Sequence, residues 1–399
     1  MTKNKNTLLL IHKFLKAIAD SIIKVFIPLL IIETTGKLSL SILYLAFYSL
    51  FVLGMNFIFK KLLQNHTVLC VVLHFIPTII AQCLLSFLPL TLYNIVLVAF
   101  LMAVSQVLYS VPINLVFALL DKDTNVAKFQ VGTNFAKLFF IFISGLLLKD
   151  GNNLVLLFIL SSIFYIACAL PIMFAYKSLK QNHINIEKGE VKKEIKKEFR
   201  LFHIGFGSFQ ATMDNCLPLY LYINNLSFGA VTIVMALVEL MRILSNFLAK
   251  WLVKTKKQRL SCILSCSLFL LSLVTIMFVK VPVVLYICSC LCSICFPLTF
   301  VPMFKMYCIY LKENNNTLDG MVIRDCEIFS FRSLLYLTNL LDTSMYLSFG
   351  AGLVSMVVMF IQQLKLTKNP VEENKHISEN DETINDVTNL QDELNNKQN

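Results

Sequence analysis

Apolar stretches about twenty residues long follow one another almost without pause from residue 8 to residue 364, and this succession constrains the fold more than any motif. A bilayer core about 30 Å thick is crossed by roughly 20 apolar residues in helical form. In hydrocarbon every backbone N–H and C=O must find its partner within the protein, which a helix achieves alone and an open strand does not. The windows fall at about residues 8–32, 38–59, 67–87, 90–120, 131–148 and 154–176, then 201–223, 227–249, 260–279, 281–311, 321–341 and 343–364. We therefore expect an all-α polytopic membrane protein of about twelve transmembrane helices. Composition agrees, with 57% hydrophobic and 15% charged residues, far from an average soluble domain.

The opening run has some features of a secretory leader: Lys3 and Lys5 precede Leu8 to Ile11, and Ala17-Ile18-Ala19 resembles a cleavage site. His12, Lys13 and Lys16 interrupt it and apolar sequence continues to Ile32, so we read a retained first helix. The two sets of six windows are separated by a charged linker, residues 177–200, holding Lys188, Lys192, Lys193, Lys196, Lys197 and Arg200. The expected units are 1–176, the linker, 201–364, and an acidic tail 365–399 too poor in apolar residues to fold alone. With both termini cytoplasmic, the inner loops carry the linker cluster, Lys60, Lys61, Lys122, Lys128, Lys254, Lys256, Lys257 and Arg259, and the outer loops only Lys37, Lys149 and Lys280. That asymmetry sets the expected orientation in a plasma membrane. It also accounts for the net charge of +11 by inner lysines meeting anionic headgroups, with no nucleic-acid partner needed.

The twelve cysteines lie mostly in apolar runs, where a thiol packs as a small hydrophobe. Cys288, Cys292 and Cys295 share one helical face and could hold a soft metal, but helix packing explains them more simply, and no cofactor is expected. His74 and the triplets beginning at Asn65, Asn225 and Asn315 read as core polarity and Asn-rich chance. No Gly-rich loop followed by Lys and Ser or Thr points to an ATPase.

A shift of 190 residues lays 56–63 on 246–253, with Asn56, Phe57 and Lys60 meeting Asn246, Phe247 and Lys250, and lays Pro28-Leu29 on Pro218-Leu219. Each repeat holds an even number of windows, so the two halves share one orientation, and a site between them at the midplane is expected. Six spans, a basic linker, six spans and a short basic turn after the second span of each half resemble the major facilitator superfamily. The likeness covers about residues 8–364. It implies two pseudo-symmetric six-helix bundles and secondary transport of a small solute by a chain that works as a monomer. The family's loop signature, Gly-x-x-x-Asp-Arg-x-Gly-Arg-Arg, would align with 56–65, where Asn56, Lys60 and Leu63 replace the first Gly, the Asp and the second Gly, and Lys61 keeps the basic character. Residues 90–120 lack the intramembrane Arg of many proton-coupled members, and 141–152 lack the Gly-Pro pattern of drug antiporters. A non-transporting receptor or accessory protein on the same fold is the alternative. An intramembrane transferase would want His, Asp or Cys gathered at one interface, whereas His12, His74 and His203 are scattered in sequence.

An ionised side chain at a span centre costs roughly 2.5–3.5 kcal/mol, so such residues should face the bundle interior. In the first span Lys13, Lys16, Asp20 and Lys24 share a stripe; the same offset sets His203, Gln210 and Asp214 opposite Lys13, Asp20 and Lys24. The eighth span repeats the spacing with Glu239, Arg242, Asn246 and Lys250, the fifth offers Gln130, Asn134 and Lys137, and the eleventh Arg324, Glu327 and Arg332, with Arg324 placed near headgroups. The candidates for substrate binding are Lys24, Lys137, Gln210, Asp214 and Arg332. Those for proton coupling or gating ion pairs are Asp20, Glu239, Arg242 and Glu327. Structural ion pairs are the competing reading of Asp20 with Lys24 and of Glu239 with Arg242. The excess of cations favours an anionic or amphipathic acidic solute, with protons as the possible coupling partner.

Overall fold

The computed structural model describes residues 2–120, 125–148, 154–181, 195–255, 257–314, 317–342 and 344–366, with side chains from residue 7 and excepting 117–130 and 175–181. Most of the expected linker (182–194) and the expected tail beyond 366 lie outside the described residues. Twelve helical rods cross the molecule. The first, α1, runs through Thr2–Ile22, a 3-10 turn Lys24–Phe26 and Ile27–Thr35. It is followed by α2 (Leu38–Asn65), α3 (Thr67–Leu73 and Phe75–Phe87), α4 (Leu92–Leu120), α5 (Asn125–Leu148) and α6 (Leu154–Gln181). The second set opens with α7, built of Lys197–Ala211, a π turn Thr212–Cys216 and Leu217–Ile223. Then come α8 (Phe228–Lys254), α9 (Gln258–Phe278), α10 (Pro282–Glu313), α11 (Thr317–Asn339) and α12 (Tyr346–Leu366).

Among the described residues nine rods are long and apolar enough to cross a membrane; α1, α7 and α11 are not among them. Of these three, α1 and α7 are interrupted and α11 carries the buried Arg324, Asp325 and Glu327. Each break has the same cause. Proline lacks an N–H and its ring clashes with the carbonyl four residues earlier. Pro28 lies four residues after Lys24 and Pro218 four after Asp214, so α1 tightens into its 3-10 turn at Lys24 and α7 widens into its π turn around Asp214. The C-terminal end of α1 then stops at Gly36, whose φ of +66° suits a residue without a Cβ.

Packing obeys the offset. Within the first set α1 lies against α6 and α5, α2 against α4, and α3 against α4 and α6; within the second α7 lies against α12 and α11, α8 against α10, and α9 against α10 and α12. The sets meet along α2 with α11 and α5 with α8. Glycine permits the closest approaches: a Cβ on Gly145 of α5 would stand 1.8 Å from Thr232 Cγ2 of α8, and one on Gly207 of α7 would stand 2.4 Å from the Ile328 carbonyl oxygen of α11. Lipid-facing stripes are apolar. On α5, Phe135, Phe139, Phe142 and Leu146 are exposed, while Asn134 and Ile141 turn inward.

Candidate functional site

Between the two sets lies a cavity of about 230 Å³, walled by α1, α2, α5, α7, α8 and α11. Seven ionisable side chains that could carry charge line it: Asp20, Lys24, Lys137, Asp214, Glu239, Arg242 and Arg332. Tyr44, Tyr48, Met213, Met235 and Leu217 supply apolar and aromatic wall. The bends at Pro28 and Pro218 deliver Lys24 and Asp214 to it, since both prolines are lining residues themselves.

On the α1 side Asp20 Oδ2 meets Lys16 Nζ at 2.5 Å, and its other oxygen lies 4.0 Å from Lys24 Nζ. Tyr165 of α6 donates its hydroxyl to Asp20. Lys24 Nζ donates to Gln106 Oε1 of α4 at 3.3 Å. Lys16, expected to line the cavity, instead lies behind Asp20, 6% exposed, with its ammonium 4.1 Å above the Tyr109 ring.

On the opposite wall Arg242 joins two carboxylates, donating from Nη2 to Asp214 Oδ1 at 2.6 Å and from Nη1 to Glu239 Oε1 at 2.9 Å, with its guanidinium 5.1 Å from the Phe296 ring centre. Lys137 Nζ of α5 stands 3.9 Å from Glu239 Oε1, an ion pair that crosses between the sets. Arg332 differs from the other cations. It donates one hydrogen bond to the neutral Gln210, packs 4.8 Å from the Phe329 ring centre, leaves Nε unpartnered and makes no ion pair among the described residues. Four cations therefore face three carboxylates, and the surplus sits on Arg332.

Of the nine candidates, Asp20, Lys24, Lys137, Asp214, Glu239, Arg242 and Arg332 line the cavity, and Gln210 touches it through Arg332. Glu327 is held elsewhere, 2.6 Å from Arg200 Nε and 3.0 Å from His203 Nδ1, tying α7 to α11 within one set. Arg324 is buried beside Asp325 at 3.4 Å and over Phe304, so it does not anchor to headgroups as expected. Its guanidinium is enclosed because Phe304 of α10 covers it, 5.0 Å from the ring centre. Asn134 and Asn246 are buried, Lys250 is exposed at the end of α8, and the Gln130 side chain lies outside those described.

Several partners escaped the sequence reading. Tyr165 and Gln106 carry no charge and leave no mark in an apolar run. Across the sets Lys60 of α2 meets Asp319 of α11 at 2.8 Å, Ser110 of α4 donates to Asp325 at 2.6 Å, and at the other end of the cavity Tyr222 donates to Glu33 while Phe26 stacks on Phe228 at 5.8 Å. The sets thus touch on both sides of the cavity. Among the described residues no group of three or more His, Cys, Asp or Glu could hold a metal ion.

A family model described as Major Facilitator Superfamily matches residues 9–317. No curated protein matches the sequence. Solved structures that share the fold include a bacterial homologue of the iron transporter ferroportin in an outward-facing state with soaked iron (TM-score 0.66, 13% identity, covering 90% of this chain and 98% of that one). A POT family transporter in complex with 5-aminolevulinic acid follows at TM-score 0.65 and 13% identity, covering 91% and 96%. The Escherichia coli fucose:proton symporter gives TM-score 0.56 and 13% identity, covering 90% and 98%.

Proposed function

Because this chain belongs to the major facilitator superfamily of secondary transporters, we propose that it carries a small organic anion, or an amphipathic molecule with an acidic group, coupled to a proton. The observation that carries the choice of anion is Arg332. A guanidinium without a carboxylate partner, in a low-dielectric cavity where cations outnumber acids, is stabilised by any ligand that brings a carboxylate or phosphate to its planar fork. Lys24 and Lys137, each about 4 Å from an acid, are close enough to share their charge with such a ligand. Gln210 orients Arg332, and Asp214 with Glu239 fixes Arg242.

The ion pairs supply the coupling. Lys137 with Glu239 spans α5 and α8, and an arriving anion that draws Lys137 away frees Glu239 to take a proton or to release its hold across the sets. Asp20 lies between two lysines in the same way, so ligand near Lys24 alters what Asp20 must balance. Rocking of the two sets about this site then exposes it to either side. The inner face is taken as the lysine-rich one, which puts the termini in the cytoplasm and the chain in the plasma membrane as a monomer.

A thermal-shift screen of purified protein over organic acids, sugars, amino acids, peptides and amphipathic drugs tests this. Acids that stabilise the wild type and not Arg332→Gln, and that are taken up by proteoliposomes under a pH gradient, support the reading. Stabilisation confined to neutral or cationic solutes contradicts it.

A further inference from the structure

The interior of the first helix set is polar where the second is aromatic. At the offset of 190 residues His12 corresponds to Phe202, Lys16 to Phe206 and His74 to Leu264. In the second set Phe202 stacks on Phe206, which continues onto Phe296 and Phe300 at 5.6 and 5.5 Å. The fold therefore does not need polar groups at these places. In the first set they are present and buried: His12 and His74 are both 0% exposed.

Their hydrogen bonding fixes their chemistry. His12 Nδ1 lies 2.6 Å from the Cys168 carbonyl oxygen and His74 Nδ1 lies 2.6 Å from the Val71 carbonyl oxygen. A carbonyl only accepts, so each Nδ1 carries the hydrogen, and in the neutral ring Nε2 is a bare lone pair. Both Nε2 atoms are buried and without a partner. The rings lie 6.2 Å apart and share Tyr109, at 5.7 Å from His12 and 4.8 Å from His74, and Tyr109 in turn carries the Lys16 ammonium on its face. Tyr165, which donates to Asp20, stands 6.2 Å from His74. The charged and titratable groups facing the two rings are Lys13, Lys16 and Asp20 of α1, Tyr109 of α4, and Tyr165 and Cys168 of α6.

We propose that His12, His74 and Tyr109 form a buried proton relay in the first helix set that exchanges protons with the Lys16–Asp20 pair, separate from the route of the solute. The proposal rests on the proton-coupled reading above. Lys16, Asp20 and Lys24 together hold one positive charge too many for their acid. Lys16 Nζ gives a proton to a histidine Nε2, directly or through a water or the Tyr109 hydroxyl; the ring becomes an imidazolium that keeps its Nδ1–H. The same Nε2 then passes the proton to the Nε2 lone pair of the other histidine, the first ring returns to its starting tautomer while the second becomes the imidazolium, and Lys16 is left a neutral amine beside a balanced Asp20–Lys24 pair. The reverse sequence reloads Lys16. A solute in the cavity shifts the balance because Asp20 and Lys24 line it while Lys16 stands behind them.

Infrared difference spectroscopy of the full chain in lipid, after a pH jump, tests this with the proton itself as probe. The Asp20 carboxylate stretch, assigned by its loss in Asp20→Asn, changes when Lys16 gains or loses its proton. In the wild type that change is expected promptly, and it should be absent in Lys16→Phe. In His12→Phe/His74→Leu, which installs the residues of the matching positions, it should slow by at least ~10-fold. His74→Gln, which keeps a polar side chain that cannot relay a proton, should also slow it and serves if the double variant does not fold. An unchanged rate in the histidine variants overturns the relay, as does a wild type with no Asp20-dependent change. A pH gradient that drives no solute uptake while the infrared response persists removes the coupling reading and leaves the relay standing.

Discussion

At the scale of single residues, the charged wall divides into groups that hold one another and one that waits for a partner. Arg332→Gln should weaken acid binding by about 10- to 100-fold, the loss of one or two charge-assisted hydrogen bonds, measured by the ligand concentration needed for half-maximal thermal shift. Arg332→Lys should recover only part of it, because an ammonium cannot make the bidentate contact. Arg242 is the opposite case. Arg242→Met leaves Asp214 without its ion-pair partner and Glu239 with Lys137 alone, and should lower stability by about 3–5 kcal/mol, whereas adding Asp214→Asn should restore the melting temperature without restoring uptake. Seven of the nine candidate residues line the cavity, as expected where hydrocarbon so poorly solvates an ionised group that its helical stripe must turn inward. The same argument misplaced Lys16 and could not locate Glu327, since a stripe of two to about three turns leaves the central cavity before it leaves the interior. Nor could it find Tyr165, Tyr109 or Gln106, whose polarity is hidden in apolar runs. His12 and His74, distant in sequence, meet only because α1 and α3 pack on α4 and α6.

At the scale of elements, the repeated Pro-Leu marks more than a duplication. It sets the break in α1 at Lys24 and the break in α7 at Asp214, a consequence of proline's missing donor that the sequence displayed and only the geometry explained. Such breaks give both helices a place to bend. Pro28→Ala and Pro218→Ala should each permit a straighter helix, leaving the melting temperature unchanged or higher and lowering the uptake rate several-fold; unchanged uptake in both would show the breaks to be passive. The glycine contacts carry a different expectation. Gly207→Val places a side chain into the Ile328 backbone and should reduce folded protein in lipid, seen as loss of the monodisperse peak in size-exclusion chromatography, while substitution at Gly54, which has no neighbour within 4 Å of a Cβ, should be tolerated.

At the scale of the whole molecule, the loop signature that this chain lacks at Lys60 has a counterpart in space. Lys60 pairs with Asp319 of the other set, so the position at which the family pattern has an acid carries instead the base of an ion pair that joins the sets. That argues for a working carrier over a degenerate one. The pair contributes little to stability, since Lys60 is substantially exposed, but it helps to set which state is favoured. Lys60→Asp should shift the balance away from contact on that face, and Lys60→Asp/Asp319→Lys should bring it back.

The central claim is that two related helix sets rock about a shared charged cavity. Distances between spin labels in lipid test it most directly, with one pair at Lys37 and Asn225 on the face of the α1–α2 turn and one at Lys61 and Glu313 on the opposite face. Adding an acid selected in the thermal-shift screen should move the two distance distributions in opposite senses, one pair separating as the other approaches. Distributions that stay fixed, or that widen and narrow together, would contradict it.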